Sequence, residues 1–194
     1  MKIIGVSGLP GSGKSLVSEF AKTKGISVVS MGDIVREEAE KRNEAPGITA
    51  VNLRKEQGEY VLAKLTIEKI KKFLNDNLNE DDFNSDSDDE PEKSDLLLVE
   101  GIRSPYEVNM FKENFNDFII VSVFSSPETR FRRLKKRNRE DDSFNLKDFQ
   151  KRDQRELKFG IGTVIACSEF IIINESDIFY YKKQFSAFFQ KYID

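Results

Sequence analysis

Gly8-Leu9-Pro10-Gly11-Ser12-Gly13-Lys14-Ser15 decides the fold. The stretch follows the pattern Gly, four free positions, Gly-Lys, then Ser or Thr. Its glycines let the backbone bend until successive amides point inward and cradle phosphate oxygens, at the positive end of the helix that follows. Lys14 is placed to neutralise the β and γ phosphates, and the Ser15 hydroxyl to ligate magnesium. Such a pattern arises by chance in under about 1% of chains of this size. The context agrees, with the apolar run Ile3–Val6 before it and a helical pattern after it. All eight residues are therefore read as a nucleotide-phosphate cradle.

Outward from that turn, short apolar runs alternate with helical stretches along the 194 residues. Strands are expected at Lys2–Val6, Ile26–Ser30, Leu96–Val99, Phe118–Phe124 and Phe170–Ile173. Helices are expected at Lys14–Lys24, Asp33–Asn43, about Ala50–Leu74 after a break at Pro46-Gly47, Pro105–Asn114, from Pro127, Leu146–Lys158 and Ile178–Tyr192. Continuous apolar strands with helical crossovers predict a five-stranded parallel sheet with helices on both faces. The fold class is thus a three-layer α/β P-loop fold in one domain, 1–194. Phe179, Phe185, Phe188 and Phe189 recur near helical spacing and read as core, and Cys167 in its apolar stretch reads as buried.

Composition removes several chemistries. The chain has no His and one Cys, so a Ser-His-Asp triad, a Cys-His pair, a His-ligated zinc site and an internal disulfide are all excluded. No apolar run approaches the ~18 residues of a membrane span and no signal-peptide pattern is present, so a cytoplasmic protein with no membrane partner is expected. Eight acidic residues and no basic one fall between Glu80 and Glu92, and leaving them out turns the net charge of −3 into about +5. The segment 75–94 is too polar to offset its ordering entropy, and is read as a disordered acidic insertion. The basic remainder, densest around Arg130 to Arg139, predicts an anionic ligand: a small phosphate compound or, as the lesser reading, nucleic acid.

Three further constellations carry a family resemblance. They are Ser30-Met31-Gly32-Asp33-Ile34-Val35-Arg36, then Val99-Glu100-Gly101-Ile102-Arg103, then Arg137-Asn138-Arg139-Glu140-Asp141-Asp142 with Arg152-Asp153-Gln154-Arg155. Together with the P-loop they resemble the nucleoside monophosphate kinases of the adenylate kinase type. The likeness is closest to the archaeal adenylate kinase-related UPF0200 family, and covers nearly all of the chain except the acidic insertion. It implies that Arg36 and Arg103 grip the phosphate of the acceptor, with Asp33 beside them; the plain alternative for Asp33 is a helix N-cap. It implies an acceptor-binding helical region at about 31–74 and a short helical lid at about 137–155. Arg139 and Arg152 of that lid would reach the transferring phosphoryl group, with Arg137 or Arg155 as substitutes. Glu100 stands where the family has Asp near magnesium, so it joins Ser15 as a candidate metal residue.

The resulting expectation is an ATP- and Mg2+-dependent nucleotide kinase whose catalytic side chains are Lys14, Arg103, Arg139 and Arg152. Its acceptor would be a nucleoside monophosphate, AMP as the first guess. Two rival readings are an ATP/AMP-binding regulator without efficient phosphotransfer, and an RNA-associated ATPase that uses the basic helix.

Overall fold

In chain order the elements are β1 (Lys2–Ser7), α1 (Lys14–Thr23), β2 (Ser27–Ser30), α2 (Met31–Arg42), α3 (Pro46–Gln57), α4 (Val61–Asp81), β3 (Leu96–Ile102), α5 (Pro105–Asn114), β4 (Phe118–Phe124), α6 (Pro127–Arg137), α7 (Leu146–Lys158), α8 (Ile161–Ala166), β5 (Phe170–Ile173) and α9 (Ile178–Ile193). This computed structural model describes residues 1–81, 95–137 and 145–193. Among them five strands form one sheet in the order β2-β3-β1-β4-β5. All of its pairings are parallel. β1 takes the centre because its side chains are apolar on both faces: Ile3 faces one cluster and Ile4 and Val6 the other.

Those two clusters make the fold three-layered. On one face Ile3, Leu97, Val99 and Ile120 pack against Met31, Leu53, Phe111 and Val164. On the other, Ile4, Val6, Val121 and Val123 pack against Val17 of α1 and Tyr181, Phe185 and Phe189 of α9. The strands' carboxyl ends release the P-loop after β1, Met31 after β2, Arg103 after β3 and Asn174 after β5. In open parallel sheets this is the edge at which ligands bind.

The helical expectations need four corrections. The expected break lies just before Pro46, between Asn43, which caps α2, and Pro46, which opens α3; a second, unexpected break falls at Gly58, which caps α3 with φ 87°. α4 then runs on to Asp81, into the stretch read as insertion, whose remainder to Ser94 lies outside the described residues. The short α8 was not expected from the sequence, and Cys167, which caps it, is exposed. Only Ile161 and Val164 of that helix turn inward, so the cysteine falls on the solvent side. Finally Phe179 is 77% exposed, whereas Phe185, Phe188 and Phe189 are buried as expected. It lies two residues before buried Tyr181, about 200° round the helix at 3.6 residues per turn.

At the start of α5 the Ser104 hydroxyl accepts from the Glu107 amide at 3.2 Å, and the Glu107 carboxylate accepts from the Ser104 amide at 3.1 Å. This capping box anchors the loop that carries Arg103. Ser104→Ala is expected to cost about 1 kcal/mol. For a chain of this size that lowers Tm by roughly 2–4 °C in thermal denaturation.

Candidate active site

The P-loop is held from behind by its carbonyls. Arg130 Nη1 donates to Pro10 O at 3.3 Å, Asn174 Nδ2 to Ser12 O at 2.8 Å, and the Tyr181 hydroxyl to Gly13 O at 2.9 Å. Ser125 Oγ donates to Asn174 O at 2.5 Å and locks that asparagine in turn. These contacts engage the carbonyls of the loop, and the Ser12 amide closes the turn on Leu9 O at 3.1 Å. Gly8 has φ 144°, and a Cβ there would meet Val123 O at 2.4 Å. Gly13, at φ 104°, caps α1 with no side-chain hydrogen bond, so the helix's first amides stay available. Ser12 Oγ is buried and finds no partner among the described residues. These features fit a bound polyphosphate.

Lys14 begins α1 and folds back over the turn, where its ammonium donates to Gly8 O at 2.6 Å. Burial pushes its pKa down to about 8; Glu100 pulls it back up, and Arg103 and Arg152 press it down. Glu100 lies within β3 and accepts from Ser18 Oγ at 2.7 Å. The hydroxyl of Ser15 and the carboxylate of Glu100 line the same cleft as Lys14. Oxygen donors of this kind, one carboxylate with phosphate oxygens and water, are what Mg2+ takes, so the residues present fit that ion.

The cleft has a volume of about 640 Å³. Lys14, Asp33, Arg36, Arg103 and Arg152 all line it, with Arg137 of the two substitutes, whereas Arg155 lies outside this lining, 3.7 Å from Glu156. Arg139 lies outside the described residues. Asp33 pairs with Arg36, and its amide is capped by Ser30 Oγ, so Ser30 and not Asp33 is the N-cap of α2. Arg103 donates from Nη1 to Glu156 at 3.1 Å.

Three participants were not singled out by sequence reasoning. Arg130 belongs to the basic run from which an anionic ligand is expected, yet it is 2% exposed and forms a two-pronged pair with Asp153 at 2.6 and 2.8 Å. Arg133 is tied to Asn174 O at 3.0 Å. Glu156 sits beneath Arg103. A signal existed for Arg130 alone: an Arg on the inward face of an amphipathic helix, beside Leu134, rarely stays buried without a carboxylate partner.

Residues 7–150 match a family described as an AAA domain. A UPF0200 protein of Methanothermobacter thermautotrophicus is 47% identical over 191 residues, covering 98% of this chain and 90% of the relative. A UPF0200 protein of Methanocaldococcus jannaschii is 42% identical, covering 90% of this chain and 82% of that one. Among solved structures, shikimate kinase from Bacteroides thetaiotaomicron superposes with a TM-score of 0.58 at 14% identity, covering 97% of both chains. A Thermus thermophilus protein gives 0.55 at 16% identity, covering 98% of this chain and 97% of that one. At such identities the likeness is one of fold. The phosphate-cradle turn, the parallel sheet and the solved structures agree on a three-layer P-loop fold, and the chain belongs to the UPF0200 family.

Proposed function

We propose that this protein is an ATP-dependent nucleotide kinase that transfers the γ-phosphoryl group to a nucleoside monophosphate, AMP being the first candidate. The observation that carries the reading is the company Lys14 keeps: the phosphate cradle shares one cleft with Arg36, Arg103 and Arg152. A nucleotide sensor or a simple ATPase needs the cradle but need not keep a second set of arginines in the same cleft.

The division of labour follows from charge and reach. Gly8–Ser15 hold the donor's phosphates through their amides, and Lys14 supplies a cation to the β and γ groups. Arg103 and Arg36 clamp the acceptor phosphate, since a guanidinium can hold two oxygens at once. Arg36 leaves Asp33 to do so, which costs little because both side chains are more than half exposed. Arg152, and by the resemblance Arg139, stabilise the charge that spreads over the equatorial oxygens during transfer. Ser15 and Glu100 would hold a magnesium ion, which would supply further positive charge to the donor's phosphates. The acceptor's own phosphate oxygen is the nucleophile, so the lack of His leaves no gap.

The test is ADP release with ATP and Mg2+, adding AMP, CMP, UMP, GMP, dephospho-coenzyme A or shikimate in turn. Shikimate is included because a solved structure with this fold bears that activity in its name. One monophosphate is expected to raise turnover at least tenfold, into the range of about 1–100 s⁻¹ usual for kinases. Slow hydrolysis indifferent to every acceptor would overturn the reading in favour of a nucleotide-binding regulator. Stimulation by shikimate alone would replace the phosphate acceptor with a hydroxyl.

A further inference from the structure

Glu156 belongs to no motif, yet its carboxylate is 1% exposed and lies under the cleft. Oε1 accepts from Arg103 Nη1 at 3.1 Å and stands 3.7 Å from Arg155 Nη2. Oε2 finds no hydrogen-bond partner among the described residues. A half-satisfied buried carboxylate is costly, and a fold that keeps one needs a reason. Such costs survive selection where function requires them.

The surroundings close into a ring. The Arg103 amide donates to Glu107 Oε2 at 2.6 Å. Glu107 Oε1 accepts from Arg54 Nη2 at 2.7 Å. The Arg54 guanidinium lies 4.2 Å from the centre of the Phe159 ring, and Phe159 ends the helix that carries Glu156. The ring fixes the Arg103 backbone against α3 and α5 and fixes α7 against both. Glu156 then sets the guanidinium itself, which is 34% exposed and lines the cleft.

We infer that Glu156 is the positioning residue of the acceptor arginine: it holds Nη1 of Arg103 so that the remaining N–H groups meet the incoming phosphate. The inference rests on the kinase reading, because it needs an acceptor. A long side chain ordered in advance loses less freedom on binding. The carboxylate also repels the acceptor's charge, so ordering and repulsion predict opposite signs when it is neutralised. Ordering is expected to win, because Glu156 is already engaged with Arg103.

The test is Glu156→Gln in the full chain, with the monophosphate that stimulates the wild type. Acceptor KM is expected to rise roughly tenfold through lost ordering of Arg103, with ATP KM unchanged and Tm equal or higher. In an Arg103→Ala background the same substitution is expected to leave acceptor KM where Arg103→Ala alone puts it. An unchanged or lower acceptor KM in Glu156→Gln would overturn the inference. So would a fall in Tm with both substrates weakened alike, which would mark Glu156 as packing only. Should no monophosphate stimulate the wild type, the kinase reading itself falls and takes this role with it.

Discussion

Lys14→Ala is expected to reduce phosphoryl transfer by at least about 10³-fold while leaving the fold intact. The loss is large because Lys14 is a cation set within the phosphate cradle, where burial weakens screening and each charge counts for more than in water. The fold survives because the ammonium costs the apo protein stability. Burial holds its pKa near 8, below the ordinary lysine value of 10.5. The sign follows from proton counting. Between those two values the unfolded chain carries the proton and the folded one does not. Stability from this site is therefore present above pH 10.5 and lost as pH falls towards 8. Removing the ammonium removes that loss, so Tm at pH 7 is expected to stay level or rise. Activity measured beside circular dichroism checks both arms, and retained transfer with an intact fold would remove the P-loop lysine from the mechanism.

The same pKa predicts how nucleotide binding responds to pH. Polyphosphate favours the charged lysine, so binding above pH 8 must draw a proton from solution. Wild-type ATP affinity is expected to decline above pH 8, and calorimetry in buffers of different ionisation enthalpy should register the uptake.

The parts legible in the sequence are those whose partners sit next to one another in the chain. Eight consecutive residues spell out the phosphate cradle, and unbroken apolar runs such as Phe118–Phe124 mark strands covered on both faces. What escaped depends on residues far apart. Arg130 reaches a carbonyl 120 positions away, and Arg103 meets Glu156 across 53. Neither separation leaves a periodicity to read. A single glycine also misleads, because Gly58 in an otherwise helical stretch looks like a tolerated weak point until its positive φ is seen to end α3. The resemblance placed Arg36 and Arg103 together in one cleft, as the structure does. It held no hint of the carboxylate underneath.

Arg103→Ala is expected to weaken acceptor binding about 100-fold and ATP binding by no more than about threefold. Two charge-assisted hydrogen bonds at about 1.5 kcal/mol each account for the first figure. ATP is spared because the cradle's amides, Lys14 and Ser15 do not depend on Arg103. One secondary effect on the donor side has a definite sign. Arg103 presses the Lys14 pKa down, so its removal raises that pKa and carries ATP binding to higher pH. Stability moves separately, because the substitution leaves Glu156 buried without its main cation, and breaking a buried pair is destabilising. Adding Glu156→Gln to Arg103→Ala is therefore expected to restore Tm and leave the acceptor defect in place. That split separates the two jobs of one side chain. A defect repaired together with Tm would mean that the loss came from a loosened fold. Equal weakening of both nucleotides would put the acceptor phosphate elsewhere in the cleft, with Arg36 as the remaining clamp.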